Sequence, residues 1–362
     1  MNRRAKRRLV GTAAGAAAVA LGTIAGREAI RRERNRPDPE GVEALDERPG
    51  VQRWVRSFDG TELAVNVVGP EDGPTLVFVH GFGISMTAWH YQWKYFSSRY
   101  RCVLFDQRGH GMSEPAKEGD YSEEALGRDL RAVLDAEVAE GPAVVIGHSM
   151  GGMSVLALAH QHPEEFGGRI RGVVLANTAA SDLVAAMAAN LGATVATWLS
   201  VSIARLARHA DRVAAIRSRA FAGEANLAYL IGRLTNFGPH ASPALVEHVV
   251  GLAARTAPEV WSDLMASLVE MDLTEAIEQI RVPTLVLVGD VDRLTPPASA
   301  LAIKHRLPDA RMVVLEGAGH CAMLERHEQW NQVVGRFVGE TLASAKPTPR
   351  RRSRRASSSA AS

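Results

Sequence analysis

Cysteine is almost missing: Cys102 and Cys321 are the only two in 362 residues. Two thiols build no disulfide framework, which excludes a small stapled scaffold, and a chain of this length buries a substantial core without staples. That usage suits a reducing compartment without excluding an exported one. Metal-ligand spacing is missing too, since no H-x-x-E-H-like or paired Cys/His pattern occurs. There is no G-x-G-x-x-G directly after a strand pattern and no Walker loop, so neither a cofactor nor a metal is expected.

Net charge is also nearly absent, at +2. The balance conceals an asymmetry: residues 1–36 carry +8, residues 343–362 carry +6, and the body between them therefore carries −12. A nucleic-acid enzyme concentrates positive charge on its folded domain, so nucleic acid is excluded as the partner. The N-terminus reads MNRRAKRR, then the uncharged run LVGTAAGAAAVALGTIAG at 9–26, then REAIRRERNR. Eighteen uncharged residues between basic flanks resemble a membrane segment of marginal length, though their Ala and Gly content makes the run only weakly hydrophobic. Three readings stay open: an N-terminal anchor, a cleaved signal, or a helix leaning on anionic lipid. The expected location is membrane-associated or exported, with a cytoplasmic one as the alternative. The C-terminal KPTPRRRSRRASSSAAS is expected to be disordered.

From about residue 50 the pattern becomes strands alternating with helices. VQRWVRSF and TELAVNVVG meet across Asp59-Gly60 as a β-hairpin. Leu76–Val79, Cys102–Phe105, Ala143–Ile146 and Val173–Leu175 are short apolar runs of the kind buried on both faces of a parallel sheet. Thr284–Val288 and Met312–Leu315 continue the series after an interruption at about 181–275, which contains no strand pattern. The interruption is helical by composition: SDLVAAMAANL, TVATWLSVSIARLARHA, SPALVEHVVGLAAR and PEVWSDLMASLVEM, broken near Phe237-Gly238-Pro239. An immediate return to strands favours a cap inserted over the carboxyl edge of the sheet rather than an independent helical domain. The fold class is α/β, a mostly parallel doubly wound sheet with an inserted helical cap.

The chemistry centres on Gly147-His148-Ser149-Met150-Gly151, which fits the G-x-S-x-G nucleophile elbow. Alone, the pentapeptide also fits a Gly-rich helix entry without chemistry. A serine hydroxyl needs a base held by a third group. Two carboxylates, Asp290 and Asp292, follow the strand Thr284–Val288, and His320 follows Met312–Leu315. Serine, aspartate and histidine thus fall at strand ends on the side where parallel sheets bind ligands.

HGFG at 80–83, DQRGHGMS at 106–113, GHSMGG at 147–152, GDVDRLTP at 289–296 and GAGH at 317–320 occur in one order. Through them residues 50–342 resemble an α/β-hydrolase with a helical cap. The resemblance divides the chain into core 37–180, cap 181–275 and core 276–342, between an N-terminal segment 1–36 and a tail 343–362. It implies Ser149 as nucleophile, His320 as base and Asp292, ahead of Asp290, as its orienting acid. Asp290 reads as a loop-capping carboxylate. The implied oxyanion donors are the backbone N–H groups of Phe82 and Met150. His80, Asp106, Arg108 and His110 read as structural, and His148, His160 and His162 take no catalytic role.

A serine at the elbow argues against the dehalogenases and epoxide hydrolases of this fold, which use aspartate there. The resemblance implies cleavage of a small-molecule or lipid-like carboxylic ester through an acyl-enzyme, esterase- or lipase-like. The apolar cap, with Met86 and Trp89 near the oxyanion loop, suggests an apolar acyl group. Amidase, thioesterase, carbon–carbon hydrolase and cofactor-free perhydrolase or haloperoxidase-like chemistry use the same triad, and a non-catalytic ligand-binding member is a further alternative.

Overall fold

The computed structural model describes residues 28, 30–138, 141–183 and 225–344. The apolar run 9–26, residues 184–224 of the interruption and the basic tail from 345 lie outside the described residues. Among the described residues no helix is long and apolar enough to cross a membrane.

Eight strands form one sheet: β1 (Val51–Arg56), β2 (Glu62–Val68), β3 (Thr75–Val79), β4 (Arg101–Phe105), β5 (Ala143–His148), β6 (Ile170–Ala176), β7 (Thr284–Gly289) and β8 (Arg311–Leu315). Their order is β1-β2-β4-β3-β5-β6-β7-β8. β1 and β2 form the hairpin, and β2 joins β4 antiparallel. From β4 to β8 every pairing is parallel. The apolar runs read as strands each fall within one of these.

Side chains alternate faces along a strand, and here each face feeds its own core. Val77, Val79, Val145 and Val286 pack with Leu130 and Val133 of α2 (Glu123–Glu137) and Val155 of α3 (Met150–Gln161). Leu76, Phe78, Ile146 and Leu287 pack on the other face with Phe96 of α1 (His90–Phe96) and Trp330 of the C-terminal helix. Burying each of these side chains stabilises the fold by about 1.5–3 kcal/mol. The middle strands β3, β4, β5 and β7 are buried along their whole length, whereas the edge strand β1 buries only Val55.

The described part of the interruption is helical: α4 (Ala225–Asn236), α5 (Pro243–Arg255) and α6 (Pro258–Glu270). Ser242 caps α5 through its hydroxyl and Pro243 opens it, a start that leaves no first-turn N–H wasted. α5 contributes Leu245, Val246 and Val249 to one core, and α6 contributes Val260 and Leu264 to the other. These helices therefore pack into the cores of the sheet itself. Three further helices follow among the described residues: α7 (Pro297–Arg306), the single turn α8 (Ala322–Glu325) and α9 (His327–Ser344).

Residues 34–48 run as a strap from cap to core. Arg34 pairs with Glu247 at 2.9 Å, and Asp38 Oδ2 accepts from the Ser242 hydroxyl and the Ala244 N–H at 2.7 Å each. Further along, Asp46 pairs with Arg255 at 3.0 Å, Glu43 contacts His90 at 2.9 Å and Lys94 at 2.8 Å, and Arg48 reaches Asp106 at 2.9 Å.

Candidate active site

The elbow sits where β5 ends and α3 begins. Backbone comes so close there that a Cβ on Gly151 would lie 2.1 Å from the Val79 carbonyl oxygen, and one on Gly147 would lie 2.5 Å from the Gly151 oxygen. Between them Ser149 adopts φ 53°, ψ −122°. A non-glycine residue held there costs on the order of 1–3 kcal/mol and persists only when its surroundings over-determine it. They do. The Ser149 N–H donates to Ala176 O at 3.0 Å, and its carbonyl accepts from the Thr178 hydroxyl at 2.7 Å and the Gly152 N–H at 2.8 Å.

Three side chains expected from sequence come together. Ser149 Oγ lies 2.9 Å from His320 Nε2. On the far side of the ring, Nδ1 lies 3.0 Å from Asp292 Oδ2 and 3.2 Å from Oδ1. Asp292 is buried, and its remaining lone pairs are met: Oδ1 accepts from the Leu294 and Thr295 N–H groups at 2.9 and 3.0 Å, and Oδ2 from Asn177 Nδ2 at 2.9 Å and Thr295 Oγ1 at 2.8 Å. Burial alone would raise this carboxyl, but the His320 ring and these donors outweigh it and hold the pKa below its ordinary value. A carboxylate so held favours the Nδ1–H tautomer and leaves Nε2 free to accept a proton. Asp290 is exposed and accepts the Gly317 N–H at 2.7 Å, a loop cap away from the His320 ring.

Asn177 and Thr295 were not singled out in the sequence. Asn177 follows β6 with φ 47°, a conformation Asn tolerates better than most residues, and its amide also donates to Gly319 O at 3.2 Å. Its signal was a polar residue at a strand's carboxyl end. Thr295 stood inside a quoted motif.

The loop after β3 lies against the nucleophile: a Cβ on Gly81 would sit 2.9 Å from Ser149 Cβ. The next residue is Phe82. Met150 opens α3, so its N–H is one of the first-turn donors without an intrahelical acceptor, at the positive end of the helix. The loop is fixed by two neutral imidazoles. His80 donates from Nδ1 to Gly81 O at 2.8 Å and accepts the Gln107 N–H at 2.9 Å. His110 donates from Nδ1 to Arg108 O at 3.0 Å and accepts the Gly83 N–H at 3.0 Å. Only a neutral ring supplies one donor and one acceptor. Burial lowers the pKa of His80 to about 4 and that of His110 to about 3. His148 is likewise lowered to about 3, by burial first and by His320 second, and its Nε2–H donates to the His320 carbonyl at 3.0 Å.

Asp106 accepts the Met86 and Met112 N–H groups at 2.7 and 2.8 Å, bracing the facing loop. Arg108 is fully buried and forks onto Asp129 at 2.6 and 2.7 Å. Met86 and Trp89, whose place near the loop suggested an apolar acyl group, are fully buried, and Trp89 packs 5.3 Å from the Phe78 ring and 5.8 Å from Trp330. They belong to the core. The half-buried aromatic pair of this loop is Phe82, next to Gly81, and Trp261 of α6, with ring centroids 4.2 Å apart. Cys102 and Cys321 are buried and unpaired. Among the described residues no group of three His, Cys, Asp or Glu side chains could hold a metal ion.

The model of the alpha/beta hydrolase family matches residues 76–333. A pimeloyl-[acyl-carrier protein] methyl ester esterase of Aeromonas hydrophila is 28% identical over 281 residues, 76% of this chain and 100% of its own. The 3-oxoadipate enol-lactonase 2 of Acinetobacter baylyi is 28% identical over 286 residues, 78% of this chain and 96% of its own. Among solved structures, a thermophilic esterase from Thermogutta terrifontis superposes with a TM-score of 0.65 at 23% identity, covering 81% of this chain and 99% of its own. That last likeness speaks to the fold alone.

Proposed function

The chain belongs to the alpha/beta hydrolase family, and on that premise we propose that it is a carboxylic ester hydrolase working through an acyl-enzyme on Ser149. The observation that carries the reading is the chain of contacts Ser149 Oγ to His320 Nε2 at 2.9 Å and His320 Nδ1 to Asp292 Oδ2 at 3.0 Å. In the first half-reaction Ser149 Oγ attacks the ester carbonyl while its proton passes to His320 Nε2. Asp292, ionised and hydrogen-bonded, stabilises the imidazolium that forms. The Phe82 and Met150 N–H groups receive the oxyanion. His320 then gives its proton to the leaving alcohol. In the second half-reaction the same nitrogen takes a proton from water, which attacks the acyl carbonyl, and returns it to Ser149 Oγ as the Oγ–acyl bond breaks and the acid leaves.

An ester carbonyl is common to the names of the two relatives, a methyl ester esterase and an enol-lactonase. The half-buried Phe82 and Trp261 rings, in and against the loop that faces Ser149, favour an apolar acyl group. Hydrolysis of p-nitrophenyl esters of graded acyl length by the full chain tests the reading. Ser149→Ala is expected to remove turnover down to the residual of about 10³–10⁴ over water that oxyanion donors and binding supply without a nucleophile. Turnover by the mutant near that of the wild type ends the proposal. Loss of ester turnover in both, with Ser149 still labelled by a fluorophosphonate, moves the reaction to an amide, carbon–carbon or peroxy substrate. Residues 9–26 are proposed to hold the enzyme at a membrane. The expected outcome is full-length chain in the membrane pellet, released by detergent and not by high salt.

A further inference from the structure

Glu325 closes the single turn α8 and is half-buried. Its Oε2 accepts two backbone N–H groups, from Gly238 in the turn between α4 and α5 at 2.9 Å, and from Gly319, the residue before His320, at 2.8 Å. The two backbones it joins touch. A Cβ on Gly319 would lie 2.4 Å from the Phe237 carbonyl carbon, and one on Gly238 would lie 2.2 Å from the Gly317 oxygen. On the other side of His320, the Cys321 N–H donates to Asn236 O at 2.8 Å. The cap turn is itself gripped by Arg233, whose guanidinium donates to the Gly238 and Pro239 carbonyls. His320 is therefore flanked by two peptides bound to the cap, one directly and one through a shared carboxylate oxygen.

We infer that Glu325 is a positioning residue that makes the approach of His320 to Ser149 depend on the seating of the cap turn Phe237-Gly238. Glu325 contacts none of the three reacting side chains. It acts through the Gly319 peptide, whose placement sets where the His320 ring begins. Hydrogen bonds from N–H groups to an ionised carboxylate are among the stronger polar contacts. Lifting the cap turn removes one of the two N–H groups that orient that oxygen and frees the Gly319 peptide to shift. A misplacement of about 1 Å in a catalytic group costs on the order of 10²-fold in rate. The cap thereby reports its position to the base.

The inference rests on the proposed roles of Ser149 and His320. Full-length wild type is compared with Glu325→Ala, Glu325→Asp and Glu325→Gln by the rate of fluorophosphonate labelling of Ser149 and by kcat and KM per labelled site. Alanine lacks the acceptor, and aspartate, a methylene shorter, cannot reach both N–H groups. Both are expected to lower kcat and the labelling rate roughly 10–100-fold with KM nearly unchanged, whereas glutamine keeps the acceptor oxygen and restores both to within about threefold. A purely structural role would reduce yield or melting temperature and leave kcat per labelled site untouched. If the alanine variant does not fold, the aspartate and glutamine pair decides. Aspartate equal to wild type, or glutamine falling as far as aspartate, overturns the inference. Wild type that does not label overturns the serine-hydrolase reading itself.

Discussion

Two seams join cap to core beside the nucleophile, and they are built from different materials. On the Phe82 side the contact is apolar: Trp261 of α6 packs on Phe82, and Val260 stands where a Cβ on Gly109 would come within 2.6 Å. On the base side it is polar and mostly backbone, with Gly238 and Gly319 sharing Glu325 and Asn236 accepting from Cys321. Apolar contact is non-directional and allows sliding, whereas hydrogen bonds fix distance and angle. The rigid seam borders His320, whose two nitrogens must meet Ser149 and Asp292 at about the same moment. The compliant one borders Phe82, next to Gly81 in the loop that faces Ser149.

The sharpest test of the base side separates its two carboxylates. Asp292→Asn is expected to lower kcat by about 10⁴, because an amide favours the wrong imidazole tautomer. Asp290→Asn removes only a loop cap and is expected to stay within about tenfold of wild type. Steady-state rates per labelled site decide, and equal losses would merge the two roles.

Acid should loosen the Phe82 side. His80 and His110 have folded pKa values of about 4 and about 3, against 6.5 when unperturbed. Between those limits the unfolded chain binds more protons, so their contribution to stability is complete above about pH 6.5 and is lost as pH falls towards 4. Each contributes up to about 1.4 kcal/mol per pH unit across that window. Denaturant midpoints measured from pH 7 to 4.5 are expected to fall steadily, and less steeply in His110→Asn. A flat profile would mean these rings stay neutral for reasons other than folding.

The smallest effect is expected from Trp261→Ala. Losing the aromatic pair removes about 0.5–1.5 kcal/mol beyond area, and it should appear as a higher KM for long acyl chains with kcat nearly unchanged. A drop in kcat like that of Glu325→Ala would erase the distinction between the seams.

Much of the sheet was legible because strands buried on both faces need unbroken apolar runs, and Leu76–Val79 or Thr284–Val288 admit little else. Ser149 and His320 were legible for a related reason, each following such a run, but the run alone left Asp290 and Asp292 open, and the family resemblance favoured Asp292. Asn177 was not, since its value lies in an approach to Asp292 across 115 positions of chain. Glu325 looks like any helix-end acid until Gly238 and Gly319 arrive from opposite directions. Met86 and Trp89 were misplaced because apolar side chains near a site read alike whether they line it or lie beneath it. α4 lay beside the break at Phe237-Gly238-Pro239, and the strap carried no local pattern because its partners are far along the chain, some in the inserted helices and some in the core.

That strap has a consequence for synthesis. Asp38 waits for Ser242, 204 positions later, and Arg34 waits for Glu247, 213 positions later. At about 5–20 residues per second, the ribosome takes roughly ten to forty seconds to deliver them. Through that interval the Ser242 and Glu247 contacts have yet to form, whereas Glu43 and Arg48 meet core partners only 51 and 58 positions on. Its docking on the cap is thus a late step in the birth of the molecule.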